Sequence, residues 1–330
     1  MTDQTGSVHK TVLLKETIEG LNLGPKSLVL DCTFGGGGHS AEICRRFPGV
    51  KIIALDQDQS VFEKAQNKFK NLNCQISFVN ANFKDLDNLK NFSVFALGGK
   101  KGQGTHDALN FLNYPLDAII FDLGLSSDQL EDSGRGFSFI KNEPLLMTMK
   151  ENPRPEDLTA KDIVNTWSEK SLADIIYGYG EERFSRRIAR GIVEARKKAK
   201  IENTFDLVKI ISQATPARFA GASARRAVYR RGRLHFATRT FQALRIAVND
   251  ELGVLPMGLE KGFNALKVGG RMSVISFHSL EDRIVKKFYK KMEKENTARL
   301  INKKPIIATE EEIKNNPGAR SAKLRILEKI

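Results

Sequence analysis

Short apolar runs alternate with helical stretches over the first third of the chain, and each run is brief enough to be a buried strand. The clearest runs are SLVLD at 27–31, KIIALD at 51–56 and LDAIIFD at 116–122, with a weaker one, ISFV, at 76–79. Residues 93–114, with a GGKKGQG core, predict an exposed loop and a short helix. Strands and helices that alternate in this way indicate an α/β fold with a parallel sheet.

The apolar period becomes that of helices from about residue 153 to residue 211. Apolar residues recur there at spacings of three and four, at Ile163, Trp167, Leu172, Ile175 and Ile176. This region predicts a separate helical domain.

Strand character returns near the end of the chain. A long helical stretch from about residue 238 to 266 precedes GRMSVISF at 270–277, and a last strand is predicted at 323–327. The simplest organisation is one discontinuous α/β domain, residues 1–130 and 234–330, with a helical domain, residues 131–233, inserted into it.

Charge narrows the class of partner. The 330 residues include 53 Lys+Arg against 39 Asp+Glu, a formal charge of +14, and 41% hydrophobic residues provide for real cores. Such an excess favours a polyanionic partner, with nucleic acid as the first candidate. A proteome that is basic throughout would give the same charge.

The sequence contains no apolar run near the about 18 residues of a membrane span and no signal-peptide pattern at its start, so we expect a cytoplasmic protein without membrane partners. Its three cysteines, Cys32, Cys44 and Cys74, form no CxxC pair and have no histidine at ligand spacing. This predicts reduced, packed thiols and no metal site.

The turn after the first predicted strand is rich in glycine and runs from Asp31 to His39 as D-x-T-x-G-x-G-G-H. Glycines let the backbone approach a ligand, and nucleotides bind at this end of strands in open parallel sheets. Asp56, which ends the second strand, follows Gly35 by 21 residues, the spacing of a carboxylate that binds ribose hydroxyls. Turn and carboxylate together predict an adenosine-type ligand.

Two features favour S-adenosylmethionine over a dinucleotide. A dinucleotide turn places a third glycine on the helix, where this chain has Ser40. Asp31 suits a ligand with a positive group and no pyrophosphate, since negative charge beside a diphosphate is unfavourable. For His39, a helix cap, a ligand contact and an ordinary polar position all stay open.

Long strings of the sequence, in a fixed order, are more specific than any glycine motif. They are HKTVLLKE from His9, DCTFGGGGHS from Asp31, FDLGLSSDQLED from Phe121, GRGFSF from Gly134, YGEERFSRRIARGIVEA from Tyr179, ATRTFQALRIAVNDEL from Ala237, GGRMSVISFHSLEDRIVKKF from Gly269 and ARSAKLRI from Ala319. With them the chain resembles the bacterial MraW/RsmH-type methyltransferases, which methylate the N4 amine of a cytidine in small-subunit ribosomal RNA.

This resemblance implies a class I, Rossmann-like methyltransferase fold with a mostly parallel sheet, an inserted helical domain and S-adenosylmethionine as methyl donor. It implies a substrate in the decoding region of the small ribosomal subunit, as ribosomal RNA or as the assembled subunit, and leaves open whether the protein is a monomer or a homodimer. The cofactor contacts that it implies are Gly37, Gly38, His39, Asp56, Phe83, Asp122 and Gln129.

The chain also departs from the family pattern. Residues 144–149 are PLLMTM where the family has P-L-D-M-R-M, so an acid and an arginine are replaced. Phe236 stands where the family has proline, and residues 218–233 are longer and more basic than expected.

Methyl transfer to a cytosine amine needs alignment and proton acceptors, because the amine lone pair is delocalised into the ring. Acceptors at the end of the fourth strand are the natural choice. We expect Asp122, the backbone around Gly124 and Leu125, and the hydroxyls of Ser126 and Ser127 to border the amine.

His278 follows the fifth predicted strand at the same crevice. It is a catalytic candidate that would orient the base or relay a proton. The structural alternative is a histidine at a strand-to-helix turn, with Ser279 as N-cap and Asp282 at the third helical position.

Two basic segments are candidates for RNA binding. Residues 218–233 hold six arginines and no acid, interleaved with Phe219 and Tyr229. Residues 181–200 would form a helix that presents Arg183, Arg187 and Arg190 on one face. The arginines expected to contact RNA are Arg183, Arg187, Arg225, Arg226, Arg230, Arg231 and Arg233. A solvated helix face and a flexible charged loop are the structural alternatives.

Three other functions stay open. One is a DNA methyltransferase acting on cytosine N4 or adenine N6, although such enzymes carry a D/S-P-P-Y/F/W segment where this chain has DLGL at 122–125. Another is a catalytically silent ribosome-assembly RNA-binding protein, which the PLLMTM segment favours. An NAD-dependent oxidoreductase is disfavoured by the missing third glycine.

Overall fold

The computed structural model describes residues 10–91, 94–96, 115–126, 129–130, 133–216 and 235–330. The chain divides into two compact units. The first consists of Met1–Leu125 and Leu252–Ile330, and the second of Ser126–Glu251.

One sheet forms the centre of the first unit. In chain order its described strands are β1 (Leu28–Asp31), β2 (Lys51–Asp56), β3 (Gln75–Asn80), β4 (Val94–Ala96), β5 (Leu116–Asp122), β6 (Leu266–Ser276), β7 (Ala298–Leu300), β8 (Ile306–Ile307) and β9 (Lys323–Lys329). Their spatial order is β4-β3-β2-β1-β5-β6-β9-β7, and β8 also pairs with β9. The strands expected from the apolar runs are all present, and residues 94–96 add β4 where a loop was expected.

The middle of the sheet is parallel. Strands β3, β2, β1, β5 and β6 run in one direction, whereas β4 and β9 are antiparallel to their neighbours. Chain order reverses on either side of β1, which makes the crevice between β1 and β5 the switch point where open α/β sheets bind ligands.

Helices surround the sheet or form the second unit. In chain order they are α1 (Leu14–Leu21), α2 (Gly38–Arg46), α3 (Ser60–Phe69), α4 (Ala160–Thr166), α5 (Glu169–Gly178), α6 (Ser185–Arg196), α7 (Thr204–Ala214), α8 (Thr238–Asn249), α9 (Glu251–Ala265), α10 (Ser279–Lys294) and α11 (Glu310–Asn315). Short 3₁₀ helices span Phe83–Asn91 and Pro317–Ser321. None of the described helices is long and apolar enough to cross a membrane.

Both faces of the sheet are covered, which explains why the central strands are apolar runs instead of alternating patterns. On one face Leu30 and Leu55 pack with α9 and α10, and on the other Val29 and Ile52 pack with α1, α2 and α3. Truncating a side chain such as fully buried Leu30 to alanine costs about 2–5 kcal/mol.

The expectation of three reduced cysteines is wrong for two of them. Cys44, near the end of α2, and Cys74, just before β3, form a disulfide with Cα atoms 5.4 Å apart across 30 residues of sequence. The tertiary fold brings them together, so their spacing in sequence gave no sign of it. Cys32 is a free, buried thiol, as expected.

The second unit is helical over residues 160–214. Helices α4 and α7 each begin with a capping box, at Thr159 with Asp162 and at Asn203 with Asp206. The apolar spacing correctly predicts a core, since Ile163, Leu172 and Ile176 are fully buried. Trp167 is the residue at which α4 ends, which divides the expected helical run.

The stretch expected as one helix from 238 to 266 is two helices. Asp250 adopts a left-handed conformation with φ 49° and ends α8 before α9 begins. Helix α8 packs against α5 and α4 in the second unit. The compact units therefore divide the chain at 125/126 and 251/252, whereas the sequence placed the domain boundaries at 130/131 and 233/234.

Candidate active site

The turn between β1 and α2 has its shape set by the residues beneath it. Gly35 and Gly37 have φ of 50° and 64°, values that side chains other than hydrogen rarely allow. A Cβ on Gly37 would lie 2.5 Å from the ring of Phe34. That ring is buried against three others, Phe62, Phe69 and Phe78. The turn is therefore held in place by a rigid aromatic base.

Asp56 organises the same turn. Its Oδ2 atom accepts a hydrogen bond from the Gly35 amide at 2.8 Å, and its Oδ1 atom accepts one from the Asp58 amide at 2.9 Å. Burial raises the pKa of Asp56 to about 6, against the opposing effect of these bonds. Each oxygen keeps a lone pair, so the carboxylate can still accept hydrogen bonds from ligand hydroxyls.

Asp31 is a second buried acid at this edge. Its Oδ2 atom accepts a hydrogen bond from the Ser40 hydroxyl at 2.6 Å, and its Oδ1 atom accepts one from the Thr33 amide at 3.2 Å. Burial raises its pKa to about 6. Ser40 thus replaces a dinucleotide-type glycine with a donor that this acid needs.

Asp122 is the third acid, at the end of β5. Its amide donates to the Thr33 hydroxyl at 2.6 Å, which ties β5 to the glycine turn. Its Oδ2 atom lies 3.6 Å from Nδ1 of His39, and its Oδ1 atom is buried with no hydrogen-bond partner among the described residues. Burial, and then the charges of Asp31 and Glu281, raise its pKa to about 8.

Phe83 follows β3 at the same end of the sheet. Its ring packs edge to face on Phe121 at 5.4 Å between centroids. On the other side it lies so close to Gly258 of α9 that a Cβ there would overlap the ring. The half-buried ring of Phe83 is therefore held in one orientation by a strand residue and a glycine.

His278 is the N-cap of α10, so the expected cap at Ser279 is wrong by one residue. Its Nδ1 atom accepts from the Glu281 amide, and Glu281 Oε2 accepts from the His278 and Phe277 amides at 3.2 and 2.8 Å. Asp282, expected at the third helical position, instead accepts from the Arg325 guanidinium at 2.7 Å. The capping role of His278 is thus observed, and its catalytic role stays a prediction.

The ends of β5 and β6 lie side by side at this edge. Gly124 has φ of 119°, and a Cβ on it would lie 3.2 Å from the ring of Phe277. The charge of Glu281 acts on Asp122. Asp122, Gly124 and the start of α10 therefore belong to one cluster in the first unit.

Several expected site residues lie in the second unit. The Ser126 amide donates to the Gln129 side chain at 3.1 Å, and the Gln129 amide donates to the Ser126 hydroxyl at 3.2 Å. Arg183 precedes α6, which begins at residue 185 and not at 181, and Arg187 lies in its first turn. The remaining predicted site residues lie outside the described residues: Ser127, Arg225, Arg226, Arg230, Arg231 and Arg233.

The PLLMTM departure is a core segment of the second unit. Leu145, Met147 and Thr148 are buried, and the Met147 amide donates to the Arg135 carbonyl at 2.7 Å. Thr148, which replaces the family arginine, is only 4% exposed. A charged side chain at this position would need its own buried partner.

The sequence did not single out three residues that shape the site in the first unit. Thr33 bridges β1 and β5, and the Thr11 hydroxyl occupies the space that a Cβ on Gly38 would need. The third is Gly258. Thr33 lies inside the glycine motif, whereas the roles of Thr11 and Gly258 become visible only when distant segments meet.

A parallel sheet of this order, with a glycine turn and buried acids at its switch point, defines a Rossmann-like class I methyltransferase. The particular family follows from comparison of the sequence. The chain belongs to the MraW methylase family, whose model matches residues 6–330. The expected fold class, enzyme class and methyl donor, S-adenosylmethionine, are confirmed.

Two curated relatives carry the name ribosomal RNA small subunit methyltransferase H. The protein from a Paenibacillus species is 40% identical over 98% of this chain and 99% of its own length. The protein from Brevibacillus brevis is 39% identical over 98% of each chain. A solved structure described as an rRNA methylase from Streptococcus thermophilus aligns at 12% identity over 96% of this chain and 92% of its own, with a TM-score of 0.39.

The site at the ends of β1, β2 and β5 in the first unit fits S-adenosylmethionine. The buried Oδ1 atom of Asp122 lacks a partner among the described residues. Burial raises the pKa values of Asp31, Asp56 and Asp122, and the charge of Asp31 raises those of Asp56 and Asp122 further. A ligand that brings a positive sulfonium and an ammonium group relieves this repulsion. Asp56 has lone pairs that could accept from ribose hydroxyls, and Phe83 offers an aromatic ring at the same edge of the sheet.

Proposed function

We propose that this protein methylates the N4 amine of a cytidine in the decoding region of small-subunit ribosomal RNA. The names of its curated relatives support ribosomal RNA as substrate. The structural observation that carries the proposal is Asp122, a buried acceptor of raised pKa at the switch point of a methylase fold. An exocyclic amine that must lose a proton requires such an acceptor.

The chain's own residues would hold the cofactor from several sides. Asp56 binds the ribose hydroxyls, Phe83 contacts the adenine, and Gly37, Gly38 and His39 contact the remainder. Gln129 is a further expected contact. When bound, S-adenosylmethionine supplies an electrophilic methyl group on a sulfonium that leaves readily.

Asp122 then acts on the target amine. Its carboxylate accepts an N4 proton and draws the nitrogen lone pair out of conjugation with the ring. The backbone of Gly124 and Leu125 and the hydroxyls of Ser126 and Ser127 supply further acceptors. Burial raises the pKa of Asp122 to about 8, and a cationic cofactor beside it would lower this pKa toward neutral pH.

His278 completes the proposed catalytic set. Its Nδ1 atom accepts from the Glu281 amide, and its buried Nε2 atom lies 3.2 Å from Glu281 Oε1 with no hydrogen-bond partner among the described residues. The ring is therefore held in one orientation, in which it would position the target base.

The basic residues of the second unit would hold the RNA. Arg183 and Arg187 are exposed beside α6, and Arg225, Arg226, Arg230, Arg231 and Arg233 supply the loop contacts. A single base must leave its stack to reach a pocket at the end of β5, which favours a loop of ribosomal RNA as target, free or in the assembled subunit. The proposed location is the cytoplasm, and a homodimer would present two such surfaces.

Methyl transfer with mass spectrometry of nucleosides tests the proposal. Purified protein is incubated with methyl-labelled S-adenosylmethionine and small subunits from cells that lack the corresponding enzyme, with duplex DNA as a parallel substrate. We expect N4-methylcytidine in ribosomal RNA and none in DNA. Label in DNA alone would favour the DNA methyltransferase alternative.

A silent assembly factor is the second candidate, and one observation favours it. Leu146 and Thr148 replace an acid and an arginine of the family pattern. If cofactor and subunits both bind but no label transfers, this alternative replaces the enzymatic one.

A further inference from the structure

A cleft opens on the surface of the second unit, on the helices and loop of residues 169–196. Its volume is about 520 Å³, and its lining includes Tyr177 of α5 and residues 183–187 at the start of α6. This volume falls in the range of about 300–1,000 Å³ that is usual for small-ligand sites. None of the roles proposed above for the target cytidine or the cofactor uses Tyr177, Phe184 or Arg186.

The loop that joins α5 to the residues 183–187 of the lining is held by hydrogen bonds. The Tyr179 carbonyl accepts from the Gln242 amide group at 2.9 Å, and the Glu181 carbonyl accepts from the Arg239 guanidinium at 3.2 Å. The buried Glu182 carboxylate accepts from the Phe184 amide at 2.9 Å. The side chains that follow the loop are therefore placed before any ligand arrives, which lowers the entropic cost of binding.

The lining combines aromatic rings with guanidinium groups. The Arg183 and Arg187 guanidinium carbons lie 4.7 and 5.9 Å from the centre of the Phe184 ring. Tyr177 is 67% exposed, so most of its ring is available to a ligand. Aromatic rings and guanidinium planes are the surfaces on which proteins stack unpaired bases.

The charge of the cleft is positive. Among the described residues, neither Arg186 nor Arg187 forms an ion pair with an acid, and both are exposed. Asp174, the acid in the lining, accepts a hydrogen bond from Lys170 at 2.6 Å, which offsets its charge. Cations beside stacking surfaces suit a nucleotide, which carries a phosphate beside its base.

We infer that this cleft binds one unpaired nucleotide of the RNA substrate, separate from the cytidine that is methylated. Tyr177 stacks on the base, and Arg186 and Arg187 contact its phosphate. The inference rests on the proposed function for the identity of the RNA. It adds a second point of recognition that fixes the register of the RNA on the protein.

Binding of short RNAs to the full-length protein tests the cleft. The probes are a labelled, unstructured RNA of about 12 nucleotides and an abasic RNA of the same length. Tyr177→Ala should weaken binding of the normal RNA about tenfold and leave the abasic RNA nearly unchanged, because only a base can stack. Arg186→Gln should weaken both RNAs and reduce the salt dependence by about 0.7 in the log–log slope.

Matched controls come from α7, outside the cleft lining. Phe205→Ala removes an aromatic ring that is 48% exposed, and Lys209→Gln removes an exposed cation. Phe205→Ala should not weaken binding of the normal RNA about tenfold, and Lys209→Gln should not reduce the log–log salt slope by about 0.7. Equal affinity of wild type and Tyr177→Ala for the normal RNA would overturn the inference.

Kinetics on small subunits separate this inference from the proposed function. Tyr177→Ala should raise KM for subunits several-fold with kcat unchanged. If the wild-type protein transfers no methyl group, the proposed function fails, but binding of the short RNAs still tests the cleft. If the variant loses affinity for subunits but keeps it for naked RNA, the cleft binds a protein segment and the inference fails.

Discussion

The Nδ1 atom of His39 lies 3.6 Å from the Oδ2 atom of Asp122. This distance joins the first turn of α2 to the end of β5, two segments that are more than 80 residues apart in sequence. His39 is buried, Asp122 is partly buried, and the charges of Asp31 and Glu281 act on Asp122, so the charge of the pair depends on what binds there. The buried acids Asp31 and Asp122 and the ring of Phe83 lead to four predictions.

Asp122→Asn should lower kcat about 10²- to 10⁴-fold, because the amide keeps the shape of the side chain but cannot take a proton from the target amine. Methyl transfer to small subunits at saturating cofactor measures the effect. Asp87→Asn, which changes an exposed acid of the same unit, serves as control. A variant with wild-type kcat would remove Asp122 from the proposed chemistry.

Binding of S-adenosylmethionine at pH 7 should release protons. Burial raises the pKa of Asp122 to about 8, so before the cofactor binds this carboxyl is mostly protonated at pH 7. A cation beside it lowers this pKa, so binding releases up to about one proton and strengthens as the pH rises from 6 to 8. Calorimetric titration in buffers of different ionisation enthalpy counts the protons.

S-adenosylhomocysteine is the matched ligand for this test, because its sulfur is neutral. It should release fewer protons than S-adenosylmethionine on wild type, and the two ligands should differ less on Asp122→Asn. Equal proton release by both ligands on wild type would show that the sulfonium lies away from the acids.

Gly258→Ala should weaken cofactor binding about five- to tenfold. The new Cβ would overlap the Phe83 ring and push it from the face on which we place the adenine. Titration calorimetry gives the dissociation constant, and Gly178→Ala is the control, since a Cβ there meets no described atom within 4 Å. If the folded variant binds as tightly as wild type, Phe83 does not contact the cofactor.

Ser40→Ala should destabilise the protein without ligand, and more so at pH 8 than at pH 5. The Asp31 pKa is raised to about 6, above its value of 3.8 in an unfolded chain, so the ionised acid costs stability as the pH rises through this window. The Ser40 hydroxyl offsets part of that cost. Its loss should cost about 1–3 kcal/mol at pH 8 and about 1 kcal/mol less at pH 5, where Asp31 is mostly protonated.

Chemical unfolding at the two pH values measures the difference for Ser40→Ala. Ser321→Ala, which removes an exposed hydroxyl in the same unit, should change stability by less than about 0.5 kcal/mol at either pH. A cost that is independent of pH would mean that the hydroxyl does not stabilise the charged form of Asp31.

The strands around the site were predictable from the sequence because they are buried on both faces. Such strands are apolar over most of their length, as β1, β2 and β5 are, and each of these three ends in an acid. The glycine turn and the 21-residue spacing from Gly35 to Asp56 were predictable because both lie in a continuous stretch of sequence. Helix α8 was predictable as a helix, but its membership of the second unit depends on packing against α4 and α5.

Most of the elements, the glycine turn, the family and the acids at the strand ends could be read from the sequence. Folding alone set how distant groups act on one another: the effect of the Asp31 charge on Asp56 and Asp122, the disulfide between Cys44 and Cys74, and the cleft at Tyr177. The difference lies in the distance along the chain between the groups that interact. Helix and strand periods depend on neighbours in sequence, whereas pKa values, caps across a turn and stacking surfaces depend on distances between atoms that only folding brings together.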